Sequence, residues 1–248
     1  MGGALLNQWK TGPEKFAIVD PMLESAPEGV SLHRDADELD GTFDVIIVAI
    51  KPQMIDDVMP RYAELLNDGG YALSIAAGAS VARISKALGD APVVRVMPNL
   101  PASIGKGTSG VVAGPGVSQA MQDHAVEMME RAGTVLVVDE EESLDKITAV
   151  AGSGPGYVFE IARAYCAAAE GLGFSHDEAR TLVLSTMEGT IAQALDGADK
   201  SLEDWRNSVT SKGGTTAAGL DALNGSGDLD RLMKATLEAA FHRAEELR

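Results

Sequence analysis

The chain has 248 residues, of which 45% are hydrophobic, and its 37 acidic and 20 basic residues give a formal net charge of −17 at pH 7. A charge of this sign opposes binding to nucleic acid or to anionic membrane surfaces, because phosphate contacts need clustered Lys and Arg. No apolar run is long enough to span a bilayer, and the length suits one large or two ordinary domains. We therefore expect neither a nucleic-acid nor a membrane partner.

Cys166 is the single cysteine, so an intramolecular disulfide is excluded. Its neighbours Tyr165 and Ala167 indicate a packed helix face rather than a reactive thiol. The four histidines are isolated from other metal-binding residue types at recognised spacings, and we predict no metal site. The amino end has no secretory signal pattern, so a cytoplasmic location is the default expectation.

The first half alternates strand-like and helix-like segments. Short β-branched runs predict strands at 16–20, 44–50, 71–75 and 93–97, with 111–113 and 134–138 closing the far edge. Helical stretches are predicted at 53–66 and 81–88. The pattern predicts an N-terminal Rossmann-like domain over 1–142, with a doubly wound parallel sheet whose ligands lie beyond the carboxyl ends of the strands. Those ends point to Asp20, 49–53, 76–78, Pro98 and Asn99.

Helices replace strands from about residue 143, which predicts an all-α domain over 143–248. One amphipathic helix is predicted after a glycine-rich loop at 152–156, from the helical spacing of Val158, Ile161, Tyr165, Ala168 and Leu172. Ser175 and Glu178 form a capping-box pattern at the start of the next helix, which is expected to reach about Leu195. A last helix over 229–241 is predicted with Asp228 as its cap. Abundant Ala and Gly favour close helix packing, including packing between subunits.

The amino end departs from the usual pattern of such a sheet. Residues 1–9 read as the start of a helix, so the first strand and its glycine-rich turn are expected to be missing. Only the last glycine of a G-x-G-x-x-G fingerprint, Gly2 or Gly3, could remain. Asp20 lies 18 residues after Gly2 at the end of a strand, where a carboxylate accepts hydrogen bonds from an adenosine ribose. A turn residue before Pro21 is the alternative interpretation.

Residues 209–220 place small polar residues and two glycines at the mouth of a helix. The free N–H groups of a helix N-terminus carry partial positive charge, and Ser211, Thr215 and Thr216 add hydroxyl donors. Gly213 and Gly214 let a ligand approach the backbone. A small carboxylate would suit this mouth, although a well-capped helix after a flexible turn explains the composition equally well.

Six ordered motifs together resemble the pyrroline-5-carboxylate reductase family. They are MGGAL at 1–5, AIKPQ at 49–53, SIAAG at 74–78, VRVMPNLPA at 94–102, GSGPGYVF at 152–159 and VTSKGGTTAAGL at 209–220. The resemblance implies a Rossmann domain followed by an all-α dimerisation domain that interlocks with that of a second subunit. It also implies homodimers, often assembled into larger rings, with substrate bound near the joint of the domains.

The same resemblance implies reduction of 1-pyrroline-5-carboxylate to L-proline by hydride from NADPH or NADH. It implies a cofactor site that comprises Met1, Gly2, Asp20, Ala49, Ile50, Lys51, Pro52, Ala76, Ala77 and Asn99. It assigns the substrate carboxylate to Ser211, Gly213, Gly214 and Thr215, and contact with the ring nitrogen to Thr216 as the catalytic residue. The 152–156 loop is expected to act as a flexible joint.

Three features differ from the family pattern. Met1 falls on the methionine of the family's G-x-G-x-M-G turn. We therefore expect either a start upstream of Met1, which we favour and which would supply the preceding strand, or a shortened protein whose sheet lacks a central strand. Lys212 stands where the family usually has proline, which loosens the turn and adds a charge that could attract a carboxylate. The segment Asp20, Pro21 and Met22 contains no Arg or Lys that could pair with the 2′-phosphate of NADPH. The sequence therefore favours NADH over NADPH.

Two alternatives remain open at this stage. A related hydroxyacid or imine reductase could share both halves, but its expected catalytic lysine is absent from the helix at 157–172. A catalytically silent, oligomeric carboxylate-binding protein without a cofactor is the second alternative. Stoichiometric nicotinamide binding would exclude it.

Overall fold

The protein is described by a computed structural model that covers residues 1–247. The strands are β1 (Ala17–Val19), β2 (Ser31–His33), β3 (Phe43–Val48), β4 (Leu66–Ser74), β5 (Val93–Met97), β6 (Gly107–Ala113) and β7 (Gly133–Val138). The α-helices are α1 (Gly2–Trp9), α2 (Ile55–Val58), α3 (Val81–Ala87), α4 (Gln119–Glu130), α5 (Ser143–Ile147), α6 (Gly154–Gly171), α7 (His176–Asp196), α8 (Leu202–Ser208), α9 (Thr215–Asn224) and α10 (Asp228–Leu247). These elements form two compact units. The first contains Met1–Pro155 and the end of α10 from Ala240, and the second contains Gly156–Ala239.

The first unit is built on a five-stranded sheet in the order β3-β4-β5-β6-β7. Strands β3, β4 and β5 are parallel, and β6 pairs antiparallel to β5. The reversal follows from the connection, because a 3₁₀ segment at Leu100–Ile104 replaces the crossover helix that a parallel neighbour needs. Strands β1 and β2 form a separate parallel pair. The predicted α/β class is confirmed, while β2 and the reversed strand were not anticipated.

The two faces of this sheet carry separate hydrophobic clusters. Val93 belongs to one cluster and its neighbour Val94 to the other, as expected when successive side chains point to opposite faces. Helix α1 contributes Leu5 and Trp9 to the Val94 cluster, and both side chains are almost completely buried. The amino-terminal helix is therefore part of the core.

The helix predicted at 53–66 is largely wrong. The structure has a 3₁₀ turn at Pro52–Met54, the single turn α2, and a second 3₁₀ segment at Met59–Leu65. Pro60 lacks a backbone N–H and its ring would clash with the preceding turn of an α-helix, which stops α2. Strand β4 then begins at Leu66, earlier than predicted.

The second unit is helical, as predicted. Ser175 caps α7, since its hydroxyl accepts from the Glu178 amide and the Glu178 carboxylate accepts from the Ser175 amide at 2.9 Å. Cys166 of α6 packs against a small cluster with Val183 and Met187 of α7, which confirms its place on a packed face.

Two local predictions in this half are wrong. The segment at 152–156 is not a loop, because a π-helical turn covers Thr148–Gly152 and α6 begins at Gly154. Asp228 is the first residue of α10 rather than its cap. In the first turn of α10, the Leu229 amide donates to the side-chain oxygen of Asn224 at 3.0 Å.

Candidate functional site

Most of the predicted cofactor residues gather at one edge of the first unit. Residues 49–51 follow β3, residues 76–78 follow β4, and Asn99 follows β5. Because these three strands are parallel, their carboxyl ends meet at the same edge, where open α/β sheets bind their ligands. Ile50 is half-buried there, and Lys51 is exposed and precedes the Pro52 turn.

The amino end of α1 adjoins this edge. A Cβ atom built on Gly2 would lie 3.1 Å from the Ala49 Cβ, so Gly2 and Ala49 are in contact. Met1 is the N-cap and gives no side-chain cap hydrogen bond, and a Cβ on Gly3 would meet open space. The uncapped first turn therefore offers free N–H groups beside small residues, which fits the pyrophosphate of a dinucleotide.

Asp20 directly follows β1, and its side chain closes a turn. Its Oδ1 accepts from the amides of Met22 at 2.8 Å and Leu23 at 3.1 Å. Arg34, directly after β2, reaches the same turn and donates from Nη1 to the carbonyl oxygens of Asp20, at 3.3 Å, and Leu23. The guanidinium of Arg34 thus lies beside Asp20, and the sequence did not predict it. The only sequence feature that could have indicated it is a basic residue at the end of a short strand.

The turn after β4 is fixed by short-range contacts. The Ser74 hydroxyl, fully buried, accepts from the Ala76 amide at 3.3 Å. Ala77 is exposed. Gly78 has φ +74°, and a Cβ there would lie 2.7 Å from the Leu247 carbonyl oxygen. Only glycine fits this position, because both the backbone angle and the close approach exclude a side chain.

Asn99 is buried, and both the nitrogen and the oxygen of its side-chain amide form hydrogen bonds within the protein. Its Nδ2 donates to the Ala151 carbonyl at 3.0 Å and its Oδ1 accepts from the Thr108 amide at 2.8 Å. The side chain thereby ties the end of β5 to the π-helical turn before α6. One N–H remains for a further partner.

The predicted carboxylate site lies in the second unit, at the start of α9. Gly214 is its N-cap and gives no side-chain cap, so the first-turn N–H groups are open. Gly213 has φ +72°, a backbone angle that favours glycine, whereas a Cβ on Gly214 would lie 2.4 Å from the Ser211 Oγ, so a side chain there would have to displace the Ser211 hydroxyl. The Gly214 amide donates to the Ser211 carbonyl at 3.0 Å, which brings Ser211 beside the helix start. Ser211, Thr215 and Thr216 are exposed there.

The second unit exposes an apolar face. Val158, Ile161 and Tyr165 of α6 are each about half exposed, at 51%, 47% and 51%, while the residues that α6 buries are Ala162 and Ala169. An apolar surface of this kind marks a protein interaction site. Within residues 1–247, no helix is both long and apolar enough to cross a membrane.

Comparisons with known proteins agree with these observations. A family profile described as pyrroline-5-carboxylate reductase dimerisation matches residues 141–247. The pyrroline-5-carboxylate reductase of Pseudomonas aeruginosa is 38% identical over 82% of this chain and 74% of its own length. A solved pyrroline-5-carboxylate reductase from Coxiella burnetii superposes with a TM-score of 0.91 and 31% identity, covering 99% of this chain and 94% of that one.

One further comparison concerns the fold alone. The Plasmodium falciparum pyrroline carboxylate reductase, solved with NADP bound, has a TM-score of 0.83 at 23% identity and covers 100% of this chain and 94% of that one.

Proposed function

Because the chain belongs to the pyrroline-5-carboxylate reductase family, we propose that it reduces 1-pyrroline-5-carboxylate to L-proline with NADH or NADPH. The structural observation that carries the proposal is the uncapped start of α9, where Gly213 and Gly214 leave the first-turn N–H groups open. A helix N-terminus of this kind favours a carboxylate, and the substrate has one.

The substrate carboxylate is assigned to Ser211, Gly213, Gly214 and Thr215. The backbone N–H groups supply partial positive charge, and the two hydroxyls donate hydrogen bonds in addition. Lys212 is exposed and adds a full positive charge to the same loop. Holding one end of a small ring in this way fixes its reactive carbon, which lowers the entropic part of the barrier.

Thr216 is assigned to the ring nitrogen. A bound reduced nicotinamide supplies the hydride, which forms a C–H bond at the imine carbon while the C=N π pair passes to nitrogen. The iminium form of the substrate already carries the nitrogen proton that proline retains, so a strong general acid is not required. The Thr216 hydroxyl accepts a hydrogen bond from that N–H and orients the ring.

The cofactor is assigned to the edge formed by the ends of β3, β4 and β5, with Met1 and Gly2 at the pyrophosphate. Asp20 favours a ribose 2′-hydroxyl and hence NADH, whereas the nearby Arg34 guanidinium could pair with a 2′-phosphate. We assign a preference for NADH with NADPH also accepted. The remaining assigned cofactor contacts are Ala49, Ile50, Lys51, Pro52, Ala76, Ala77 and Asn99.

A homodimer formed through the exposed face of α6 is part of the proposal, since the profile matched at 141–247 describes dimerisation. Assembly of dimers into a ring and a cytoplasmic location are also proposed.

The test is oxidation of NADH and of NADPH by the purified chain, with and without 1-pyrroline-5-carboxylate, followed by nicotinamide absorbance. Substrate-dependent oxidation with proline as product supports the proposal. If the chain binds proline but binds neither NADH nor NADPH, the result would instead support the silent carboxylate-binding protein. Nicotinamide oxidation with a hydroxyacid or another imine alone would support a related reductase.

A further inference from the structure

The middle of β5 carries a buried positive charge. Only 3% of the surface of Arg95 is exposed. Arg95 lies two residues after Val93 and pairs in register with Ser74 of β4. Alternate residues of a strand share a face, so both side chains lie on the face of the sheet that carries the Val93 cluster. A charge in such apolar surroundings is costly unless it has a partner of opposite sign.

Glu141 is a partner of this charge and also binds the backbone of a second segment. Its Oε1 accepts from Arg95 Nη1 at 2.6 Å and from the Val81 amide at 2.8 Å. Val81 is the first residue of α3, so one carboxylate oxygen joins the middle of β5 to the start of that helix. Glu141 lies 46 residues after Arg95 and 60 after Val81, which is why no local pattern predicts the contact.

The Val81 contact anchors the end of a turn that is assigned to the cofactor. The turn at 75–80 connects β4 to α3 and contains two of the assigned cofactor contacts, Ala76 and Ala77. At its start, the buried Ser74 hydroxyl accepts from the Ala76 amide at 3.3 Å. At its end, the Val81 amide is held by the carboxylate. The turn is therefore anchored at both ends by side-chain oxygens.

The carboxyl end of α10 closes one side of the same turn. Gly78 has φ +74°, and a Cβ there would lie 2.7 Å from the Leu247 carbonyl oxygen. This part of α10 belongs to the first unit, as the turn does. The start and the middle of the turn thus have contacts that do not involve Glu141. Loss of the anchor at Val81 should free the end of the turn without unfolding its start.

The pair with Arg95 makes the anchor strong and fixes its position. A hydrogen bond from an amide to an ionised carboxylate is shorter and stronger than one to a neutral acceptor. The buried guanidinium holds that carboxylate in one place, so the Val81 amide has a defined partner. Binding sites gain affinity when their backbone is already held in the bound conformation, because less freedom is lost on binding.

We propose that Glu141 is a positioning residue for the dinucleotide cofactor. Held by Arg95, its carboxylate fixes the Val81 amide and thereby the conformation of the turn at 75–80. Glu141 acts on the cofactor through the backbone of this turn. The inference rests on the proposed function, because that function assigns the turn to the cofactor.

Three variants of the full chain test the role. Glu141→Ala removes both hydrogen bonds. Glu141→Gln keeps an oxygen at the same distance from the backbone and so keeps an acceptor for the Val81 amide. Glu140→Ala, at the exposed neighbouring position, is the matched control for the loss of one acidic residue.

Cofactor affinity is measured by fluorescence titration with NADH and by steady-state kinetics. Glu141→Ala should raise the Kd and the KM for NADH by about tenfold, as expected for the loss of a hydrogen bond to a charged group. The value of kcat and the KM for the imine should stay within about threefold, because the lost contact acts on binding of the cofactor alone. Glu141→Gln should recover most of the affinity, and Glu140→Ala should match the wild-type chain.

Amide hydrogen exchange without any nucleotide tests the anchor directly. Glu141→Ala should speed exchange in 76–81 by about tenfold, because the end of the turn opens more often. Exchange in β3 at 43–48 should stay unchanged, which shows that the sheet remains folded. Glu141→Gln and Glu140→Ala should leave exchange in both segments close to that of the wild-type chain.

The outcomes separate a positioning role from a structural one. If Glu141→Ala lowers stability to urea but leaves the Kd for NADH unchanged, the role is structural and the inference is overturned. Equal loss of affinity in Glu141→Ala and Glu141→Gln would also overturn it, because the acceptor for Val81 would then not matter. If the wild-type chain binds neither NADH nor NADPH, the proposed function itself fails and this inference fails with it.

Discussion

The Asn99 side chain donates a hydrogen bond of 3.0 Å to the Ala151 carbonyl, which joins the end of β5 to the turn that precedes α6. The same amide accepts from Thr108, so one buried side chain holds three segments together. Asn99 was predicted as a cofactor contact. The structure shows a bridging role for it within the protein.

Replacement of this amide by a carboxylate tests the bridge. Asn99→Asp keeps the shape and the acceptor for Thr108 but removes the donor to Ala151 and buries a charge. We expect a loss of about 1–3 kcal/mol in the free energy of unfolding, measured by urea denaturation. Asn7→Asp, at an exposed position of α1, is the matched control and should change stability by less than about 0.5 kcal/mol. Equal effects of the two changes would contradict the bridging role.

The Glu14–Arg131 ion pair makes the free energy of unfolding depend on pH. Two hydrogen bonds of 2.6 and 2.9 Å join the side chains, and chiefly through them the pKa of Glu14 falls from 4.5 to about 2. A carboxylate whose pKa is lower in the folded protein than in the unfolded chain stabilises the folded state. The stabilisation is complete at pH values above the pKa of the group in the unfolded chain. This stabilisation, on the order of 2 kcal/mol, is lost as the pH falls from about 4.5 to about 2.

Thermal unfolding between pH 7 and pH 2 measures this contribution. Glu14→Gln should lower the melting temperature at pH 7, and the difference from the wild-type chain should shrink as the pH approaches 2. Glu160→Gln serves as the control, because the Glu160–Arg163 pair is largely exposed and such pairs contribute little. If the difference in melting temperature between Glu14→Gln and the wild-type chain stayed constant over this pH range, the proposed contribution of Glu14 would be contradicted.

The start of α9 can be tested by removing single hydroxyls. Ser211→Ala should raise the KM for the imine substrate, and Thr216→Val should lower kcat, each by roughly 10- to 100-fold, as expected for lost hydrogen bonds to charged groups. Steady-state kinetics at saturating NADH separate the two effects. Thr181→Val, on an exposed position of α7, is the control. Unchanged constants for Ser211→Ala would remove it from the carboxylate site.

Asp20 and Arg34 should act in opposite directions on cofactor choice. Asp20→Ser removes the repulsion of a 2′-phosphate and should raise the ratio of kcat/KM for NADPH over NADH by about tenfold. Arg34→Ala removes the adjacent cation and should lower the same ratio. Asp40→Ser, an exposed acidic position after β2, should leave the ratio unchanged. If both changes shifted the ratio the same way, the proposed adenosine site would be wrong.

The exposed face of α6 can be tested by its association. Ile161→Glu places a charge in the apolar face and should dissociate the proposed dimer, because a buried unpaired charge is costly. Glu160→Lys changes charge at the neighbouring exposed position and should leave the dimer intact. Sedimentation velocity distinguishes the two species. Dimers that persist in Ile161→Glu would place the interface elsewhere.

The sequence determined the features that depend on neighbouring residues. The β-branched run at 93–97 gives β5 with the predicted bounds, and Ser175 with Glu178 caps α7 as the pattern indicates. Gly213 is a further local feature, because its left-handed backbone angle favours glycine. Six short motifs sufficed to identify the family.

Contacts between distant segments were decided only by the tertiary structure. Arg34 meets the Asp20 turn across 14 residues, and Asn99 meets Ala151 across 52. The reversal of β6 depends on how whole strands pair, and residue patterns do not encode which strand pairs with which. The reason is physical. Local propensity determines which segments form strands, whereas burial and hydrogen bonding between remote segments determine which strands and side chains become partners.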